Sequence, residues 1–280
     1  MIIDFHTHIF PSVIRDNRDL FFHNEPDFQL LYQSPKSRLA GKGELLASMD
    51  RQGIRKSVIF GFPWKNTDHF RRHNDYIIES VQRHPDRFIG FCCADPLSKE
   101  AAREMERCLQ AGLKGIGELA LYATGFTPDI ISSTADIMSI SGEYHSPVLL
   151  HTNEPVGHQY PGKQPMHLAQ LYNLIQTYRS NRIILAHWGG GLFFYALMKK
   201  EVKEILKNVW FDTAASPFLY TADIYRIAGE IIGYEKILFG SDYPLINPER
   251  YIQEMESAGI PSAGIEAMIG ENARNLLDLS

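Results

Sequence analysis

A closed barrel of eight parallel strands, each followed by a helix, is the fold this sequence predicts. Three observations lead there. Short β-branched apolar runs alternate with longer amphipathic segments along the chain. That alternation implies parallel pairing through right-handed crossovers. Eight such units in 280 residues fit a (β/α)8 TIM barrel, which typically needs about 250 residues. Counting strands does not by itself establish closure, but the rival open sheet lacks its usual signature: no G-x-G-x-x-G follows the first strand.

The strands are read at Ile2–His6, Ser57–Gly61, Phe88–Cys93, Gly115–Leu119, Pro147–His151, Ile183–His187, Val209–Asp212 and Ile237–Asp242. Each is a short apolar run of the kind a parallel sheet buries on both faces. Helical periodicity covers Gly43–Gln52, Asp68–Arg83, Ser98–Ala111, Pro128–Tyr144, Pro165–Tyr178, Leu192–Lys207, Thr221–Ile232 and Pro248–Ser257. Residues 261–280 hold a closing helix at Ser262–Leu277. Composition does not break, so residues 1–280 read as a single domain. The rhythm fails once, at residues 11–41, where "DLFFHNEPDFQLLYQSP" is aromatic and proline-rich without a period. A long excursion after the first strand is expected to form a lid or substrate wall.

Composition narrows the function. The net charge is -5, from 28 basic and 33 acidic residues, and no basic block draws nucleic acid or an anionic membrane. The three cysteines, Cys92, Cys93 and Cys108, form no disulfide framework and read as buried small hydrophobes. The opening "MIIDFHTHIF" has neither a basic n-region nor a long apolar stretch, so a soluble cytoplasmic protein is expected.

The strand ends carry the chemistry. Strand one ends in "HTH", placing His6 and His8 on one face by alternation. Strand four ends "GELALY" with Glu118, strand five "LLHTNE" with His151, strand six "LAHWGGG" with His187, and strand eight "FGSDYP" with Asp242. In a barrel these ends meet at one mouth. Gathering so many ionisable groups without a cation is costly. Imidazole and carboxylate donors suit Zn²⁺ first, with Mn²⁺, Fe²⁺ or Ni²⁺ also possible.

This ordered set resembles the amidohydrolase superfamily, and more narrowly its amidohydrolase-related (amidohydrolase 2) branch. The likeness runs from the first strand to the closing "GENARNLLDL". It implies that His6, His8, His151 and Asp242 hold or surround a divalent metal, with Asp242 as general base. His187 forks the reading. In one-metal members of the aminocarboxymuconate-semialdehyde decarboxylase kind, the matching histidine is an acid/base group. In two-metal, TatD-like members it is a ligand, and a glutamate ending strand four bridges two ions. Glu118 stands where that bridge would come, so Glu118 and His187 join the expected ligands, for one or two ions.

Trp64, Tyr122, Trp188 and Tyr243 follow strand ends and, with His158 in the loop after strand five, form an expected substrate wall. Asp4 is expected beneath His6 as support for an imidazole. Arginine is absent from the strand ends; Arg15, Arg38, Lys65 and Lys163 are left to meet any acid group. The leading expectation is metal-dependent hydrolysis of an amide, ester or lactone in a small metabolite. The alternative is non-oxidative decarboxylation of an aromatic-type acid. The exposed-looking run Phe193–Tyr195 makes a homodimer possible.

Overall fold

The computed structural model describes residues 1–279. Its strands are β1 (Ile2–His8), β2 (Ile54–Phe60), β3 (Phe88–Cys92), β4 (Gly115–Leu119), β5 (Val148–Leu150), β6 (Ile183–Leu185), β7 (Val209–Asp212) and β8 (Ile237–Leu238). They pair in sequence order, all parallel. The chain around and beyond β8 closes the ring onto β1. Phe5 N–H donates to the Phe239 carbonyl at 2.7 Å, Asp242 N–H to His6 at 2.9 Å, and His8 N–H to Tyr243 at 2.8 Å. The barrel expected from the sequence is present.

Alternation along the strands divides the core. Ile3, Phe5, Val58, Phe60, Ile89, Phe91, Leu149, Ile184 and Leu238 form one cluster, which the C-terminal Ala273, Leu276 and Leu277 join. Their neighbours Ile59, Cys92, Ile116, Val148, Leu185 and Phe211 pack the other way, in the larger cluster that contains Leu45, Phe70, Ile77 and Met105 of the surrounding helices. Each fully buried aliphatic or phenylalanine side chain contributes about 1.5–3 kcal/mol. Among the described residues, no helix is long and apolar enough to cross a membrane.

Strands β5, β6 and β8 stop short of the predicted ends, so His151, His187 and Asp242 lie in the segments that leave the barrel. The helix expected over Pro128–Tyr144 breaks at Thr134 into Pro128–Ser133 and Ala135–Glu143. Of Leu192–Lys207 only Lys200–Ile205 is α-helical. The closing segment remains helical, but with a π turn over Ala267–Glu271.

The excursion after β1 contains Ser12–Arg15, a 3₁₀ turn at Arg18–Phe21, and Pro26–Tyr32. These pieces are too short to show a 3.6-residue period, which is why the sequence reads as irregular. Glu25 ties the segment to the barrel. Its carboxylate, 1 % exposed, accepts from Lys65 N–H at 3.0 Å and Asn66 N–H at 2.7 Å. Glu25→Ala leaves both donors without that partner. An expected loss of about 2–3 kcal/mol, read by urea unfolding, checks this anchor, and cleavage within 18–40 by dilute protease should accelerate.

Candidate metal centre

Four donor atoms face one another at the C-terminal mouth. His6 Nε2 lies 3.2 Å from His8 Nε2, 3.6 Å from Glu118 Oε2 and 3.6 Å from Asp242 Oδ1. His8 Nε2 is 3.7 Å from Glu118 Oε2 and 3.5 Å from Asp242 Oδ1. The other Glu118 oxygen, Oε1, lies 2.9 Å from His151 Nδ1 and 3.7 Å from His187 Nε2. Glu118 thus presents one oxygen to the β1 pair and the other to the histidines after β5 and β6. His6, His187 and Asp242 form a third converging set.

A break in β1 puts the histidines there. Asp4 is opposite Ser57, while Thr7 is opposite Ile59, so three steps on β1 match two on β2. Such a bulge interrupts alternation. Asp4 does not support an imidazole, as the sequence led us to expect. It joins β1 to the segment after β8, accepting from Ser241 N–H at 2.9 Å, Ser241 Oγ at 2.5 Å and His6 N–H at 3.2 Å. Burial pushes its carboxyl up to about 6, against the pull of the Ser241 bonds.

The imidazole is supported by Asp212, at the end of β7, to which the sequence analysis gave no role. Asp212 Oδ2 accepts from His6 Nδ1 at 2.8 Å, so the lone pair of neutral His6 is on Nε2, toward the cluster. Asp212 Oδ1 takes the His187 and Ala214 N–H groups at 2.9 and 3.0 Å. His187 Nδ1 donates to the Ala214 carbonyl at 2.9 Å, leaving Nε2 free for the site. His187 opens a left-handed run, φ 53° at His187 and 62° at Trp188, continued by Gly189 and Gly190 at 62° and 61°. Only glycine enters this region cheaply, and a Cβ at Gly190 would also collide with the Asn153 carbonyl. The "WGGG" run is therefore the turn that aims His187.

The electrostatics call for positive charge. Burial raises the Glu118 carboxyl, but His6 and His151 outweigh it and hold it well below the ordinary range. Asp242 is brought down to about 2: burial opposes ionisation, and the His8 hydrogen bond with the nearby imidazoles wins. Burial lowers His6, yet Asp212 and Glu118 raise it well above an ordinary histidine. In the neutral tautomer fixed by Asp212, the Nε2 lone pair of His6 faces carboxylate oxygens, an arrangement stable only with a proton or a cation between them. An ion about 2.0–2.2 Å from each donor would separate neighbouring donors by about 3–3.6 Å. Four of the observed spacings lie in that range and the fifth, His8 to Glu118 at 3.7 Å, is just beyond it, so the residues fit a divalent metal.

The expected substrate wall is only partly gathered. Tyr122 lies with its ring 5.2 Å from that of His151. Trp64 is fully buried, its indole donating to His73 at 2.9 Å and its ring 4.3 Å from Phe28, so it backs the wall. Three expectations are corrected. Trp188 is fully buried, bonded to Ser216 Oγ at 2.6 Å and packed on Phe193 and Tyr225, turned from the ligands. Tyr243 lines a groove of about 220 Å³ with Arg38, Ser48, Arg51 and Pro248, which contains none of the ligand residues. His158 is exposed, its ring 5.9 Å from that of Tyr160 and its carbonyl accepting from Lys163 Nζ at 3.2 Å. The loose cations are mostly engaged: Lys163 by Glu154 at 2.7 Å, Arg15 by Glu44 at 2.8 Å, and Lys65 by Asp27 at 3.2 Å.

A barrel whose strand ends gather histidines and carboxylates defines a class of metal-dependent TIM-barrel enzymes, and comparison makes this specific. The amidohydrolase family model matches residues 3–279, and the chain belongs to that family. It is 26% identical over 257 residues to a gamma-resorcylate decarboxylase of Polaromonas sp., covering 75% of this chain and 76% of that one. Its fold resembles a dihydroxybenzoic acid decarboxylase of Polaromonas sp. with bound manganese and the inhibitor 2-nitroresorcinol. The TM-score is 0.73 at 21% identity, covering 99% of this chain and 97% of the other. It also resembles a 5-carboxyvanillate decarboxylase of Novosphingobium aromaticivorans complexed with manganese and 4-hydroxy-3-methoxy-5-nitrobenzoic acid. There the TM-score is 0.75 at 17% identity, with 100% and 96% covered. The hydrolase expectation is therefore corrected: these relatives are decarboxylases, which are lyases.

Proposed function

We propose that this protein is a metal-dependent, non-oxidative decarboxylase of an aromatic carboxylic acid. The observation that carries the reading is the gamma-resorcylate decarboxylase relative, which matches three quarters of the chain. The aromatic surroundings agree with it: Phe62 stacks on Tyr122 at 6.4 Å and 11°, beside the cluster. His6, His8, Glu118 and Asp242 would hold the ion, with His151 on the far oxygen of Glu118. Two carboxylates among the donors and the manganese in the relatives' structures favour Mn²⁺ over the zinc read from the histidines.

A divalent ion held there supplies fixed positive charge to anchor an anionic substrate. The protein's own work is proton transfer. Decarboxylation needs one proton on the ring carbon that bears the carboxylate. The C–C bond to that group then breaks, its electron pair returns to the ring, and CO2 leaves. His187 is placed to give the proton. Its Nδ1–H is committed to Ala214, so the mobile proton is carried on Nε2, which faces the cluster. Burial and neighbouring His151 lower its pKa, which makes its imidazolium a stronger acid than usual.

The test is direct. Protein reconstituted with Mn²⁺ should convert 2,6-dihydroxybenzoate or a related hydroxybenzoate to the decarboxylated phenol with release of CO2. Chelation should abolish turnover and added Mn²⁺ should restore it. Absence of CO2 from a full panel of hydroxy- and methoxybenzoates by metal-loaded protein would falsify the reading.

A further inference from the structure

Two tyrosines flank Phe62 at the edge of the metal centre, one from the segment after β1 and one from the segment after β4. Tyr32 ends the Pro26–Tyr32 helix, with its ring 4.9 Å from Phe28, 5.4 Å from Phe10 and 6.1 Å from Phe62. Tyr122 stacks on the same Phe62 and leans toward His151. Packing accounts for both rings. It does not account for the oxygens, since phenylalanine would fill the same cage. Neither hydroxyl is bonded to a protein group among the described residues, and both feel the Glu118 and Asp242 carboxylates. A phenol is uncharged near neutral pH. Both are therefore neutral O–H donors. Both residues are half-buried and neither hydroxyl is sealed from solvent, so each is a donor open to the mouth, where an occupant can supply its acceptor.

We propose that the Tyr32 and Tyr122 hydroxyls donate to an oxygen substituent on the substrate ring, which makes the substrate an oxygen-substituted benzoate and gives the segment after β1 a direct part in choosing it. This rests on the aromatic-acid reading above and adds the specificity determinant. It also explains why an irregular segment is pinned so firmly through Glu25: the pin fixes the helix that ends in Tyr32.

The experiment uses Mn²⁺-loaded protein and two nitro-aromatic probes, 2-nitroresorcinol with two ring hydroxyls and 2-nitrobenzoate with none, titrated by calorimetry. Tyr32→Phe and Tyr122→Phe should each weaken 2-nitroresorcinol about five- to tenfold and leave 2-nitrobenzoate within about twofold. A merely structural role would shift both probes together or neither, and either pattern overturns the proposal. So does a wild-type protein that binds no 2-nitroresorcinol. The decarboxylase reading fails separately: hydroxyl-dependent probe binding in a protein that releases no CO2 would retain the two donors and reject the reaction.

Discussion

His187→Gln should lower kcat for decarboxylation by about 10²–10⁴-fold while manganese content and 2-nitroresorcinol affinity stay near wild type. Glutamine keeps a polar side chain at the turn but carries no proton it can deliver to carbon. The backbone fixing His187 is independent of its ring, since the N–H to Asp212 bond and the left-handed turn both survive the substitution. The ring's own partner, the Ala214 carbonyl, is a single acceptor on the edge of the site. A residue that merely held the ion would show the opposite split: metal content would fall, and excess Mn²⁺ would recover the rate. Metal analysis alongside single-turnover CO2 release distinguishes the two. Recovery of more than half the rate at high Mn²⁺ would remove His187 from proton transfer and make it a ligand.

The barrel was legible because parallel strands must be apolar on both faces and helices between them must be amphipathic, and both patterns are strong here. The cluster was legible for a related reason: a histidine or carboxylate ending a buried strand stands out against its neighbours. His6, His8, Glu118, His151, His187 and Asp242 are all brought together. What failed was the placing of side chains that follow a left-handed residue. Trp188 and Tyr243 directly follow His187 and Asp242, residues with positive φ, and a left-handed residue redirects the next side chain in a way no periodicity encodes. Asp4 was misplaced because strict alternation was assumed across a bulge. Tyr32 was hidden in a seven-residue helix, too short for two full turns to repeat. Glu118 as a ligand and the lack of arginine at the strand ends point the sequence toward hydrolysis, but neither feature bears on the bond that is broken, and the relatives are decarboxylases.

Asp212 is the residue whose loss should be felt in two ways at once. Three protein donors converge on its fully buried carboxylate: His6 Nδ1–H on Oδ2, and the His187 and Ala214 N–H groups on Oδ1. Asp212→Ala leaves all three facing an apolar void. An imidazole partner and two backbone donors left in a site of low dielectric should cost about 3–5 kcal/mol, measurable by urea unfolding of metal-free protein. The second effect acts through tautomer choice. Without Oδ2 the proton of neutral His6 is no longer held on Nδ1, and the Nε2 lone pair aimed at the cluster is only one of two populations. Mn²⁺ affinity should then fall about 10–100-fold, the range for loss of a group that orients a ligand histidine. Asp212→Asn separates the two effects. The amide keeps one carbonyl acceptor, so at least one of the three donors stays paired and the stability loss shrinks. The negative charge that stabilises the His6 proton on Nδ1 is gone, so metal affinity should remain low. If the asparagine variant instead binds Mn²⁺ like wild type, Asp212 matters for folding alone, and His6 is oriented by packing against Phe60, whose ring lies 5.1 Å away.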